Sequence, residues 1–187
     1  ILAGPRNDLF PPELEALVAV LAAFFRDAEP RPMAARAYRE RLRTRSLQNA
    51  HELRAPALGL KHGRIDAVVQ VQLEFLARAE ALATRGRALV DGHGDLRPEH
   101  ICLGEPPCVI DALEFDRDLR ILDPADELAF LALECERLGS PEVGSAFIAE
   151  YARLTGDRPP QRLLRFYAVL RALVRAKLAV WHAREPA

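Results

Sequence analysis

Cysteine is scarce in this chain, and its three copies, Cys102, Cys108 and Cys135, form no Cys-x-x-Cys pair. An odd number without that spacing argues against a disulfide framework and suits a reducing, cytoplasmic setting. Charge of one sign is missing too. Basic residues number 26 against 27 acidic ones, for a net charge of −1 and a pI near 6.6. No general pull toward nucleic acid or an anionic membrane follows from such a balance. Long apolar runs are absent: the stretch 14–25 is interrupted and too short to span a bilayer. No charged-apolar-cleavage pattern opens the chain, so no signal peptide is expected. Lysine is nearly absent, because only Lys61 and Lys177 among the basic residues are not arginine. With abundant Ala, Leu and Pro, that fits a GC-rich bacterial coding bias better than an arginine-specific function. There is no internal repeat and no low-complexity segment.

Half of the residues are hydrophobic and 28% are charged, a composition that supports a packed core and excludes global disorder. A length of 187 residues suits one ordinary domain, 1–187, or one lobe of a larger assembly. The chain opens at Ile1 and not at Met, so it reads as part of a longer protein.

Helical periodicity dominates. Residues 1–10 read as an irregular lead-in. Pro11-Pro12 then open an amphipathic helix on Leu14, Leu17, Val18, Leu21 and Phe25, which Pro30 and Pro32 end. A second helix is expected over about 33–53, with a heavily charged arginine face that reads first as solvated and second as a phosphate patch. After a loop at 55–63, a third helix is expected over 66–84 with Val69, Leu73, Leu76 and Leu82 inward, ending near Gly86. Short apolar runs at 88–90, 101–103 and 108–110 read as strands, the last two joined by a Gly-Glu-Pro-Pro turn. Asp123 with Pro124, Ser140 with Pro141, and Pro159-Pro160 open three more helices, and Gly139 and Gly156 stop the first two. Phe24, Phe25, Phe166 and Tyr167 are expected in the core. Cys102 and Cys108, lying in apolar runs, are expected there as small residues. His51, His62 and His182 stand alone and read as ordinary histidines. The sum is a mainly α chain with a small β element.

That β element carries the chemistry, in residues 89–128. His93-Gly94-Asp95-Leu96-Arg97-Pro98-Glu99-His100 resembles the His-Arg-Asp-Leu-x-x-x-Asn catalytic loop of protein kinases. Its His-Gly-Asp opening resembles the aminoglycoside phosphotransferase and choline kinase branch. Val109-Ile110-Asp111 stands where kinases place the metal-binding Asp of Asp-Phe-Gly, and Asp123-Pro124-Ala125 resembles the branch's Asp-Pro-Ala segment.

The resemblance implies the C-terminal, helical lobe of a kinase-like fold. It implies transfer of the ATP γ-phosphate to a small-molecule hydroxyl, with Mg²⁺ as the metal. Asp95 is then the catalytic aspartate, His93 a tie between the catalytic loop and the strand carrying Asp111, and Arg97 a phosphate-facing cation. Asp111 is then a metal ligand, and Asp123 a helix cap bracing the loop. His100 replaces the family's Asn. Imidazole suits Mn²⁺ or Zn²⁺ better than Mg²⁺, so retained metal binding with altered preference is the expectation, Mn²⁺ included. No Gly-x-Gly-x-x-Gly or Walker A motif occurs, so the nucleotide-covering N-terminal lobe, and any fused P-loop ATP-binding domain of the kind some relatives carry, lie outside this chain. Glu127, Glu134, Glu136, Glu142 and Glu150 are candidates for a cationic acceptor site, with surface solvation as the plain alternative. Asp91 reads as a turn residue. Two other functions stand beside this one: a pseudokinase-like partner-binding module, with His100 as the mark of lost catalysis, and a metal-dependent phosphoesterase, weakened by too few histidines after His100.

Overall fold

Helix signals in the sequence translate directly into seven helices among the described residues. The computed structural model describes residues 11–55, 60–78 and 80–182, with His182 described by its backbone alone. The helices are α1 (Pro12–Asp27), α2 (Ala35–Leu53), α3 (His62–Ala77), α4 (Arg117–Arg120), α5 (Pro124–Arg137), α6 (Pro141–Thr155) and α7 (Gln161–His182). Four two-residue strands, β1 (Val90–Asp91), β2 (Ile101–Cys102), β3 (Cys108–Val109) and β4 (Ile121–Leu122), make two antiparallel ribbons, β1 with β4 and β2 with β3. The expected lead-in at 1–10 and part of the expected loop, 56–59, lie outside the described residues. Among those described, no helix is long and apolar enough to cross a membrane.

The chain clusters into two compact units, each with its own core. The first comprises residues up to Pro30 together with Val90–Arg158. Leu17, Val18, Leu21 and Phe25 of α1 pack with Leu128, Leu131 and Cys135 of α5, with Phe147 and Tyr151 of α6, and with Val90 and Leu96. Each such side chain contributes roughly 1.5–3 kcal/mol on leaving water. Phe24 departs from expectation at 41% exposure. It lies at the margin of the α1 stripe centred on Leu14, Leu21 and Phe25, and its ring rests against Phe25 at 5.3 Å between centroids. Helices α5 and α6 approach closely at Gly144, where a Cβ would meet the Ala132 Cα at 2.6 Å.

The second unit comprises Arg31–Leu89 and the chain from Pro159 onward. Ala50, Leu53, Ile65, Val69 and Leu173 form its apolar cluster, and the Tyr38 and Tyr167 hydroxyls meet at 2.9 Å inside it. Helix α3 corrects the expected 66–84 span. It begins at His62, taking Gly63 into its first turn, and ends at Ala77. Two short 3-10 turns at Glu80–Leu82 and Arg85–Arg87 follow in place of continued helix. There the chain buries Leu82 completely and bends so that Gly86 accepts the Met33 N–H at 2.7 Å. An uninterrupted helix could not make that return.

Helix ends follow the sequence closely in the first unit. Asp123 caps α5 by accepting the Ala125 N–H at 2.9 Å, with Pro124 at the first helical position. Gly156 ends α6 in the left-handed region at φ 77°. Ser140 stands at the N-cap of α6 but makes no side-chain capping bond.

Candidate functional site

Three loop segments of the first unit are laced together by backbone bonds. Strand β1 places Val90 against Leu122 and Asp91 against Ile121 of β4, and the Gly92 N–H extends that ladder to the Arg120 carbonyl at 2.9 Å. The next residues turn sharply at Gly94, whose φ of +87° and contact of its missing Cβ with Leu113 admit only glycine comfortably. Leu113 then donates its N–H to the His93 carbonyl at 3.0 Å, and Ile110 donates its own to the His100 carbonyl at 2.9 Å. Residues 93–100 and 110–113 are therefore held side by side, although nine residues lie between them in sequence.

His93 sits between the two segments. Its Nε2 lies 2.8 Å from the Ile110 carbonyl, and its Nδ1 lies 3.3 Å from the Asp95 N–H. A carbonyl can only accept and an amide can only donate, so the ring is the neutral Nε2–H tautomer. Burial pushes its pKa below the ordinary histidine range, with the Ile110 carbonyl opposing that shift and the neighbouring His100 ring adding to it.

Asp95, Arg97, His100 and Asp111 converge. Arg97 Nε donates to Asp95 Oδ2 at 3.0 Å, and its Nη2 lies 2.9 Å from His100 Nε2. Because guanidinium has no acceptor, His100 Nε2 is the acceptor there, and Nδ1 is the protonated nitrogen that donates to the Asp95 carbonyl at 2.8 Å. The His100 ring is thus oriented by the loop's own backbone. Its Nε2 lies 3.3 Å from Asp111 Oδ2. The Arg97 guanidinium that donates to this nitrogen supplies positive charge beside the facing carboxylate oxygen. Asp111 is itself a non-glycine residue at φ +64°, held there while its side chain remains 75% exposed. Left-handed geometry in a non-glycine residue is an uncommon, strained state that concentrates at functional sites.

The donor set limits what the site could hold. Among the described residues no three His, Cys, Asp or Glu side chains group tightly enough to hold a metal ion. Asp111 Oδ2 and His100 Nε2 form a facing pair, too few donors for an all-protein cage, and the nitrogen's one lone pair accepts from Arg97.

The supporting residues extend beyond those the sequence predicts. Asp123 caps α5, as expected, but the bond acceptor that reaches the 93–94 turn is Glu127. Its Oε2 accepts the His93 N–H at 3.2 Å, and its Oε1 accepts the Gly94 N–H. Glu127 is completely buried and Glu134 nearly so, which removes both from the set of surface acids for an acceptor. Glu134 instead pairs with Arg137, and Glu150 pairs with Arg153, which lowers the Glu150 pKa. Asp91 is more than a turn residue: its Oδ2 takes Arg117 Nε at 2.8 Å and its Oδ1 takes Arg120 Nε at 2.9 Å. Arg117 also reaches Glu29 at 2.6 Å, so α4 is fastened to β1. The signals for these roles were Glu127 one turn after its Asp123 cap and Asp91 beside a turn rich in arginine. Of the lone histidines, His51 and His62 are exposed, and the His182 side chain lies outside the described residues.

Cys102 and Cys108 overturn the expectation of core residues, since both are exposed. Two-residue strands alternate faces. Ile101 and Val109 take the inner face against the core, which leaves the cysteines outside.

No family model matches the chain, and no solved structure matches it. It is similar to an uncharacterized protein of Mycobacterium bovis and to uncharacterized proteins from two strains of Mycobacterium tuberculosis. Each is 36% identical over 172 residues, covering 88% of this chain and 34% of the relative. The chain therefore spans about a third of the length of the curated relatives it matches.

Proposed function

We propose that this chain is the substrate-side lobe of a phosphotransferase similar to the aminoglycoside phosphotransferase and choline kinase branch, moving the ATP γ-phosphate to a small-molecule hydroxyl. The observation that carries the reading is the convergence of Asp95, Arg97, His100 and Asp111 from two loops, with His100 Nε2 at 3.3 Å from Asp111 Oδ2. The motif spacing that suggested kinase chemistry and the geometry that gathers those side chains are separate supports for one reading.

Phosphoryl transfer asks a protein mainly for positioning and for placed charge. Asp95 is fixed through Oδ2 by Arg97, and its Oδ1 has no hydrogen-bond partner among the described residues, which leaves it to receive an acceptor hydroxyl and its proton. Arg97 is within reach of both Asp95 and His100 and brings positive charge to the place where phosphate oxygens would gather. A divalent ion held by Asp111, and by His100 once the Arg97 guanidinium turns from Nε2 toward the phosphates, would supply charge neutralisation for nucleotide phosphates. His93 and Glu127 hold the loop that presents Asp95, and neither faces a reacting group. The histidine donor favours Mn²⁺ over Mg²⁺ relative to an oxygen donor.

The test compares nucleotide-dependent Mn²⁺ and Mg²⁺ binding in the full-length protein and its His100→Asn variant. A shift of preference toward Mg²⁺ in the variant is expected. Identical ion preference and affinity would remove His100 from the site. The pseudokinase reading is favoured instead if no nucleotide with either ion shifts the melting temperature of the full-length protein.

A further inference from the structure

The β2–β3 hairpin places Cys102 directly opposite Cys108 in the antiparallel register, with Ile101 opposite Val109. Residues facing each other across such a ladder have Cα atoms about 4.5–5.5 Å apart, inside the roughly 4.4–6.8 Å window that a disulfide spans. Both cysteines are free and exposed. The strands that carry them run straight into the candidate site. His100 immediately precedes β2, and Asp111 follows β3 after a single residue.

We propose that Cys102 and Cys108 form a reversible dithiol–disulfide couple, a redox-modification site that takes a hydroperoxide as oxidant. One thiolate attacks the peroxide. An S–O bond forms, the O–O bond breaks, and water leaves, giving a sulfenic acid. The second sulfur then attacks the first, forming S–S and breaking S–O with loss of a second water. Two thiols and one hydrogen peroxide thus yield one disulfide and two waters. A small-molecule dithiol reverses the reaction by exchange, returning both protons and both electrons.

Reversibility follows from the setting. A ring closed between residues 102 and 108 is short, so the cross-link removes little unfolded-chain entropy, and exposed bridges of this kind are readily reduced. The couple therefore acts as a latch on the hairpin and not as a structural staple. Oxidation pins the two backbones from which His100 and Asp111 project. Cys135 is buried in the α5 face of the core and takes no part.

Thiol counting reads this couple whether or not the chain transfers phosphate. The folded protein is treated with hydrogen peroxide, quenched, and denatured for thiol titration and intact mass. Free thiols should fall from three to one, and the mass should drop by two hydrogens. Tandem mass spectrometry should place that loss on the peptide bearing Cys102 and Cys108, and dithiothreitol should restore the original state. Cys135→Ala should keep the two-hydrogen loss, whereas Cys102→Ser and Cys108→Ser should each abolish it. Oxygen addition at separate cysteines, a disulfide between chains, a pairing with Cys135, or three surviving thiols would overturn the proposal.

Discussion

At the scale of single residues, His93 shows how protonation and the candidate site are linked. Both ring nitrogens are committed in the neutral form, and burial lowers the pKa from the ordinary 6.5. The unfolded chain therefore takes up a proton at His93 before the folded chain does. Stability from the neutral ring is fully present above about pH 6.5 and is lost as the pH falls through that value toward the lower folded pKa. Urea titrations between pH 7.5 and 5 should show this decline, and His93→Gln should flatten it. An unchanged slope in the variant would assign the acid sensitivity to other groups. Gln72 offers the opposite case. It is 2% exposed, and neither end of its amide finds a hydrogen-bond partner among the described residues. Such a group costs about 1–3 kcal/mol when buried, so Gln72→Leu should raise stability by about 1–2 kcal/mol, measured by chemical denaturation at neutral pH. A loss of stability would mean that the amide is satisfied in solution.

At the scale of elements, the loop at 93–100 is held by a helix as much as by its own turn. Glu127 of α5 accepts the N–H groups of both His93 and Gly94. Removing that carboxylate leaves two buried donors unsatisfied, each costing about 1–3 kcal/mol. Glu127→Ala should therefore lower stability by roughly 3 kcal/mol, together with faster amide exchange at Gly94. A cost below about 1 kcal/mol would show that the loop keeps its shape unaided. The α5–α6 contact gives a second case in which magnitudes decide. Helix propensity alone favours Gly144→Ala by about 1 kcal/mol. The new methyl group would press on the Ala132 backbone, and overpacking costs about 1–3 kcal/mol. Net destabilisation is expected, with thermal unfolding as the check, and a raised melting temperature would mean that α5 and α6 separate easily.

Element placement was legible where the signal is local. Proline starts, the Asp123 cap and the leucine stripes of α1 and α5 depend only on neighbouring residues, and the structure follows them. What failed depends on distant partners. The end of α3 is set by the return of the chain to Met33, and the exposure of Cys102 and Cys108 by which face of a two-residue strand meets the core. Glu127 looked like a surface acid because its partners lie more than thirty positions away. The candidate site was legible as a set of residue types at the right spacings. Arg97 bridging Asp95 to His100 was not, because a two-residue separation does not say where a long side chain turns.

At the scale of the whole molecule, every residue proposed for phosphoryl transfer lies in the first unit. The second unit is built from α2, α3 and α7 around its own apolar cluster. The chain spans about a third of the length of its curated relatives, and under the proposed reading the acceptor is to be sought with hydroxyl-bearing small molecules such as aminoglycosides, choline, homoserine and methylthioribose. Asp95 and Asp111 are given different tasks, and that division is the centre of the account. It is tested most directly by measuring nucleotide–Mn²⁺ binding and turnover side by side in the full-length protein, in Asp95→Asn and in Asp111→Asn. Asp95→Asn should bind nucleotide and ion as the wild type does while losing about 10²–10⁴ in kcat, and Asp111→Asn should lose the ion-dependent binding itself. Equal binding in all three proteins, or loss of binding in Asp95→Asn with Asp111→Asn intact, would contradict it.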